Sequence, residues 1–163
     1  SEVNILPDGS LDYDDETLAT LDWVVASVHS SFQMDAAAMT ARIVRAVSNP
    51  LVDLLGHPSG RRIERRRPYA FDFEAVLEAA AANGTMLEIN SSPERRDLDD
   101  LHARAAAAAG VPIVINCDAH RTGGFEVRRY GIATARRAWL GPSAVVNTRP
   151  WDQVAATRPR ARG

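Results

Sequence analysis

The sequence has no lysine, only one cysteine (Cys117), and few aromatic residues, 6% of its 163 positions. A single cysteine cannot form a disulfide within the chain, which favours an intracellular protein. No apolar run approaches the roughly 18–20 residues that a membrane-spanning helix needs. The net charge of −2 excludes bulk positive charge as a source of affinity for polyanions. We therefore expect a cytoplasmic protein with no membrane partner.

The composition is that of a folded domain. Hydrophobic residues make up 45% of the chain and charged residues 25%, which argues against disorder. The length suits one domain. We predict this domain over residues 1–157 and a flexible tail over residues 158–163.

Short apolar runs alternate with helical patterns along the chain. The runs predict strands; they cover residues 3–6, 23–28, 51–55, 85–89 and 112–115. The segments between and after them predict helices; they cover residues 34–47, 73–82, 99–109 and 125–140. Alternation of this kind predicts an α/β fold with parallel strands.

Polar residues follow the predicted strands and distinguish two parallel architectures. A doubly wound sheet and a β/α barrel both fit the alternation, but a barrel gathers the residues at its strand ends into one site. We therefore predict a parallel β/α barrel of which about five units are present, too few for closure.

A set of candidate metal ligands lies at these strand ends. Histidine and carboxylate together suit Zn²⁺, Mn²⁺ or Fe²⁺. The set comprises Glu2, His29, His57, Asp118 and His120. Any one of these histidines taken singly is more often a structural residue, and it is the joint pattern that predicts a metal site. The fourth histidine, His102, falls inside a predicted helix and is not counted.

Several strings together resemble a known family. Ala-Ser-Val-His ends at His29, Val-Asp-Leu-Leu-Gly-His-Pro-Ser-Gly spans 52–60, and Asn-Cys-Asp-Ala-His spans 116–120. With Leu-Glu-Ile-Asn at 87–90, they resemble the PHP (polymerase and histidinol phosphatase) domain. The segments at 2–12 and 129–140 narrow the resemblance to the C-terminal portion of that domain in bacterial family X DNA polymerases.

The resemblance implies a distorted seven-stranded barrel with up to three metal ions and hydrolysis of phosphoesters. The implied activity is that of a 3′-to-5′ exonuclease or DNA-end phosphodiesterase, with Zn²⁺ or Mn²⁺ as the metal. Glu2 would bridge two ions and complete one site with His29 and His57. Asp118 would bind the second ion and His120 the third. Implied partners are DNA 3′ ends, single-stranded or gapped, and an upstream polymerase domain.

The chain also departs from the family pattern. The opening His-x-His motif of the family and further ligands before Glu2 are not in this sequence. We therefore expect one tightly bound ion, weak activity of the 163-residue chain, and a tendency to form homo-oligomers through open strand edges.

Further residues are candidates for chemistry or substrate contact. Asp118, His120 and Arg95 are the predicted catalytic residues, and Arg61, Arg95 and Asn90 are predicted to contact substrate. Each arginine could instead be a surface salt-bridge residue. The run 61–67 holds five arginines and one glutamate and could steer single-stranded DNA, or be an ordinary solvated loop. Glu88 could be a buried structural carboxylate or catalytic, and Trp23 and Trp139 are predicted to pack inside.

Two other functions remain open at this point. One is a stand-alone phosphatase that acts on a small phosphate monoester, similar to histidinol phosphatase. The other is a remnant that binds metal or docks a partner without catalysis.

Overall fold

The computed structural model describes residues 1–161 and shows five strands separated by helices. The strands are β1 (Glu2–Asn4), β2 (Val25–Ser27), β3 (Leu54–Leu55), β4 (Met86–Asn90) and β5 (Ile113–Asn116). The helices are α1 (Asp15–Ala19), α2 (Ala36–Val47), α3 (Phe73–Asn83), α4 (Asp100–Ala108), α5 (Arg128–Arg137) and α6 (Trp151–Ala156). Short 3₁₀ turns occupy Thr122–Val127, Pro142–Ala144, Val146–Thr148 and Pro159–Ala161.

The five strands form one sheet in chain order. Each strand runs parallel to the next, from β1 at one side to β5 at the other. A doubly wound sheet reverses its strand order at a switch point, whereas a β/α barrel adds strands sequentially. The order therefore confirms the predicted α/β fold, a parallel sheet of five units with the arrangement of a partial β/α barrel.

Four of the helices begin in the same way. Asp14, Asp35, Asp72 and Asp99 each accept a hydrogen bond from a backbone N–H in the first turn of α1, α2, α3 and α4. Such caps satisfy amide donors that have no partner inside the helix. Among the described residues, none of the helices is long and apolar enough to cross a membrane.

The two faces of the sheet pack against different cores. The larger core lies between the sheet and helices and includes Val3, Ala26 and Leu87. The smaller core, on the opposite face, is built from Leu54, Met86, Val114, Val146 and Val154. We call the face that carries the smaller core the inner face. Because side chains alternate along a strand, Glu88 and Asn90 on β4 lie on this inner face together with Met86.

Three details differ from the expectations. A 3₁₀ turn replaces the first part of the predicted helix 125–140. Trp139 does not pack inside: it is 84% exposed at a φ of +61°, because the chain reverses after α5 and directs Leu140 to the core instead. In the predicted flexible tail, Arg160 donates to Asp53 at 2.7 Å, whereas residues 162 and 163 lie outside the described part.

Candidate active site

Polar side chains collect where the strands end on the inner face. Glu2 and Asn4 alternate with the core residue Val3 on β1, and Ser27 alternates with Ala26 on β2. His29 lies two positions beyond Ser27. The period of two thus places the carboxylate of Glu2 and the ring of His29 at the same edge of the sheet.

Glu2, His29 and His57 form the group that we call the metal triad. Glu2 Oε1 lies 3.4 Å from His29 Nε2 and 3.2 Å from His57 Nε2. One ligand atom from each residue falls within 4.8 Å of the others. An ion held tetrahedrally at about 2.0–2.1 Å separates its ligand atoms by about 3.3–3.5 Å. The triad therefore fits a divalent metal ion and leaves a coordination position for water or substrate.

Different hydrogen bonds position the two histidines of the triad. His29 Nδ1 donates to Asn4 Oδ1 at 2.6 Å, which fixes the tautomer that turns Nε2 toward Glu2. His57 is 2% exposed and has a φ of +28°. Its backbone N–H donates to Glu88 Oε2 at 2.6 Å. Glu88 thus stabilises a backbone conformation that non-glycine residues seldom adopt.

The carboxylates of Glu2 and Glu88 differ in their affinity for protons. The neighbouring rings of His29 and His57 hold the pKa of Glu2 well below its usual range. Burial raises the pKa of Glu88, although the His57 N–H and the amides of Asn90 and Asn116 oppose that shift. Glu2 is consequently the carboxylate prepared to act as a ligand.

A cavity of about 240 Å³ adjoins the triad and brings in the end of β5. It is lined by Glu2, Val25, Glu88, Asn90, Asn116, Cys117, Asp118, Ala119 and Phe125. The structure therefore places Asp118 and Glu2, which are 116 positions apart in the chain, on one concave surface.

Arg95 extends into this region from the loop after β4. Its Nε lies 3.6 Å from Asp118 Oδ2, and its side chain is only 15% exposed. Its Nη1 is buried and has no hydrogen-bond partner among residues 1–161. A buried guanidinium with an unused donor suits an anionic group, because it can donate two parallel bonds to carboxylate or phosphate oxygens.

The other predicted site residues are placed less centrally. His120 is 87% exposed on its side chain, and its Nδ1 lies 2.9 Å from the carbonyl oxygen of Asp118 rather than with the triad. Arg61 donates to the carbonyl oxygens of Arg95 and Arg96, so its guanidinium is engaged within the protein. The Asn90 amide donates to Glu88 Oε2 at 3.2 Å while its oxygen accepts from the Ser92 N–H at 3.0 Å.

Sequence reasoning missed Asn4 and left the role of Glu88 open. The signal for Asn4 was its spacing, because a residue two positions after Glu2 must share its face. For Glu88 the signal was an acid at the centre of an otherwise apolar strand, where burial requires a hydrogen-bonding role.

The chain is similar to known proteins over most of its length. No family model matches the chain. It is 41% identical over 155 residues to the "DNA polymerase/3'-5' exonuclease PolX" of Bacillus subtilis (strain 168), covering 95% of this chain and 27% of that protein. The predicted resemblance is confirmed.

The chain is also similar to smaller proteins. The chain is 36% identical over 159 residues to a "Probable phosphatase" of Thermoanaerobacter sp. (strain X514), covering 90% of this chain and 62% of the relative. A second such protein, from Caldanaerobacter subterraneus subsp. tengcongensis, is 35% identical over 139 residues, or 79% of this chain and 52% of the relative. The chain thus spans about a quarter of the polymerase and about half to six-tenths of the phosphatases.

Proposed function

We propose that this chain carries a metal-dependent phosphoesterase site that cleaves phosphodiester bonds at DNA 3′ ends. The observation that carries the proposal is the metal triad, whose Glu2 lines the same cavity as Asp118, the carboxylate that lies 3.6 Å from Arg95 Nε. A cation held by the triad and a buried guanidinium are together the groups that bind a phosphoester and neutralise its charge.

Each residue has a distinct task in this proposal. Glu2, His29 and His57 hold the ion, which, when bound, lowers the pKa of a coordinated water and polarises the phosphate. Arg95 binds the non-bridging phosphate oxygens, and Asp118 holds the Arg95 guanidinium in place. Catalytic and ligand roles for Asp118, at a second ion, and for His120, at a third, remain predictions. The His120 role needs its ring to turn inward from its exposed position. Arg61 and Asn90 remain predicted substrate contacts.

The wider setting is part of the same proposal. The similarity to PolX supports DNA 3′ ends as substrate and a polymerase domain as neighbour. DNA repair as the process and the cytoplasm as the location remain predictions. Zn²⁺ and Mn²⁺ are the proposed ions, with Fe²⁺ as a third choice, because histidine and carboxylate suit all three. A homo-oligomer formed at the edges of the sheet remains a prediction.

A second candidate is a phosphatase that acts on a small phosphate monoester. Two observations favour it: the names of the phosphatase relatives, and a cavity of about 240 Å³, which is small for a polymer. The two candidates differ in the substrate that is preferred, not in the role of the triad.

Metal content and turnover test the proposal together. The 163-residue chain would be stripped with a chelator and reloaded separately with Zn²⁺, Mn²⁺ or Fe²⁺. Each sample would then be assayed on 3′-tailed DNA and on p-nitrophenyl phosphate. We expect about one tightly bound ion per chain and weak turnover restored by metal, because one ion has a complete ligand set in the described residues.

The controls separate the candidates. His57→Ala should abolish tight metal binding and turnover, whereas Arg104→Gln on the exposed face of α4 should preserve both. A higher kcat/KM for the monoester than for DNA would favour the small-molecule phosphatase. Tight metal binding with no turnover on either ester would favour a non-catalytic module, and three tightly bound ions would contradict the ligand assignment.

A further inference from the structure

The loop after His57 is an ordered and strongly basic hairpin. Residues 61–67, the arginine hairpin, contain five arginines and one glutamate, a local charge of +4 in a chain whose net charge is −2. Arg62 N donates to Arg66 O at 2.8 Å and Arg66 N to Arg62 O at 2.7 Å. The positive charge is therefore carried on a defined turn.

The arginine hairpin is joined directly to the candidate active site. Its Ile63 N donates to the carbonyl oxygen of Glu94 at 2.6 Å, and Arg61 Nε donates to that of Arg95 at 2.7 Å. Arg95 is the residue whose side chain faces Asp118. A ligand lying on the hairpin would thus continue toward the metal triad along the loop after β4.

Part of the hairpin's charge is available for a ligand. Glu94 pairs with Arg62 and lies 3.9 Å from Arg65. Arg65 is nevertheless 66% exposed, and Arg67 is exposed with no ion-pair partner in the described part of the chain. Residues 61–68 curl around a concavity of about 450 Å³. That volume lies within the range of roughly 300–1,000 Å³ that is typical of small-ligand sites, so one nucleotide would fit.

The hairpin also presents a flat cationic surface. The Arg66 guanidinium carbon lies 3.8 Å from the centre of the Phe32 ring, and that ring stacks on Tyr69 with an interplanar angle of 16°. A guanidinium fixed over an aromatic ring offers its other face to a nucleobase, which is how unpaired bases are often bound.

We propose that the arginine hairpin binds the phosphate backbone of a single-stranded DNA end and guides it to the metal triad. This inference rests on the proposed function and names the surface by which the site would select a polymer over a small ester. Arg65 and Arg67 contact phosphates, and Arg66 supports a stacked base. The small cavity at the triad then needs to hold only the terminal phosphodiester.

Binding of an oligonucleotide tests this surface without any turnover. Fluorescence anisotropy would measure the affinity of a labelled ten-nucleotide single strand for metal-free protein at several salt concentrations. For Arg65→Gln with Arg67→Gln we expect about ten-fold weaker binding near 0.1 M salt. We also expect a salt slope lower by about 1.4, or about 0.7 for each lost phosphate contact.

A matched control removes two arginines elsewhere. Arg104→Gln with Arg136→Gln changes the net charge equally on exposed positions of α4 and α5 and should leave affinity nearly unchanged. Glu94→Gln should strengthen binding severalfold, because it releases Arg62 and Arg65. Equal losses in both double variants, no binding by the unaltered chain, or equal binding of a polyglutamate peptide would overturn the proposal.

Hydrolysis separates this inference from the proposed function. On bis(p-nitrophenyl) phosphate, which is too small to reach the hairpin, the Arg65/Arg67 double variant should retain the activity of the unaltered chain. Loss of DNA binding in a protein that hydrolyses no phosphoester would support the hairpin and contradict the proposed function. Hydrolysis of the small diester with no loss of DNA binding in the double variant would do the reverse.

Discussion

The side chain of Asn4 does not reach the metal position, but it orients the ring of His29, which does. Asn4 accepts from His29 Nδ1 through its side-chain oxygen and donates through its amide nitrogen to Asp12. The amide is thereby held in one orientation, and its oxygen can only face the histidine. A ring held this way already directs Nε2 toward the metal position, so little conformational entropy is lost when an ion binds.

Replacing Asn4 should weaken metal binding without removing a ligand. For Asn4→Ala we expect zinc affinity to fall about 10–100-fold, because His29 loses its orienting acceptor. Competition with a chromophoric chelator measures the change. Asn4→Asp combined with Asp12→Asn reverses the hydrogen bond between these two side chains, keeps an acceptor for His29 and should retain most of the affinity. An Asn4→Ala protein with unchanged affinity would contradict this role.

Some site residues could be predicted because they lie at the ends of strands that the sequence pattern itself indicates. Glu2, His29 and His57 each follow or begin a predicted strand, so topology alone brings them to one edge. Arg61 could not be assigned in this way, since its partners are the backbone carbonyls of Arg95 and Arg96, which carry no sequence signal. His120 shows the same limit, because spacing does not specify which way a loop side chain turns.

At the scale of elements, the short strand β3 is followed directly by Gly56, which the packing around the site requires. A Cβ at Gly56 would lie 2.4 Å from Ser27 Oγ, 2.8 Å from Val25 Cγ1 and 3.7 Å from Glu2 Oε1. The absence of a side chain lets β2 and β3 approach closely beneath the triad. The glycine is therefore needed for packing at the floor of the site.

Gly56→Ala should reduce stability and metal binding together. We expect the free energy of unfolding to fall by about 1–3 kcal/mol, the usual cost of inserting a methyl group into a packed region. Gly141→Ala is the matched control, because nothing lies within 4 Å of its Cβ, and it should change stability by less than about 0.5 kcal/mol. Urea unfolding and zinc titration of both variants test this, and equal stability of the two would contradict it.

An ion pair between Asp99 and His102 lies at the beginning of α4, at a distance from the triad along the chain. Asp99 caps the helix and lies 2.8 Å from His102 Nδ1. The hydrogen bond from His102 lowers the pKa of Asp99 to about 2, and the same bond raises the pKa of His102. Both shifts indicate that folding favours the charged forms.

The contribution of this pair to stability should depend on pH in a defined direction. A lowered Asp99 pKa adds stability above about pH 4 that is lost toward pH 2, and a raised His102 pKa adds stability below about pH 6.5 that is lost as the pH rises further. The pair is half-exposed, so we expect less than about 1 kcal/mol. The stability difference between the unaltered chain and His102→Gln should be larger at pH 5.5 than at pH 8.5, and an equal difference would exclude the pair.

Element prediction from the sequence succeeded where patterns were long. α2, α3 and α4 span nine to twelve residues and were found close to their predicted bounds. α1 and α6 have only five and six residues, too few to display a helical period. The 3₁₀ turn Thr122–Val127 takes up the first three residues of the helix predicted over 125–140, so α5 begins later than predicted, at Arg128.

At the scale of the whole molecule, Arg160 near the C-terminus contacts the segments that lead into β2 and β3. Arg160 donates to the carbonyl oxygens of Leu21 at 2.8 Å and Leu51 at 2.9 Å and to Asp53 Oδ2 at 2.7 Å. Asp53 is fully buried and also accepts from the Val24 N–H at 2.8 Å. The strand order could be predicted from the sequence, but this link joins residues 107 positions apart and leaves no periodic signal.

Removing Arg160 should therefore destabilise the whole fold. Burial raises the pKa of Asp53, and Arg160 is the cation that offsets the cost of its charge. For Arg160→Ala we expect a loss of about 3 kcal/mol near pH 7 in urea unfolding, against less than about 0.5 kcal/mol for the exposed Arg104→Ala. The loss should shrink as the pH falls into the acid range, because Asp53 can then take up a proton and remain buried uncharged. Adding Asp53→Asn to Arg160→Ala should recover part of the loss for the same reason. A loss that is independent of pH, or no larger than that of Arg104→Ala, would mean that the chain end contributes nothing to holding the sheet.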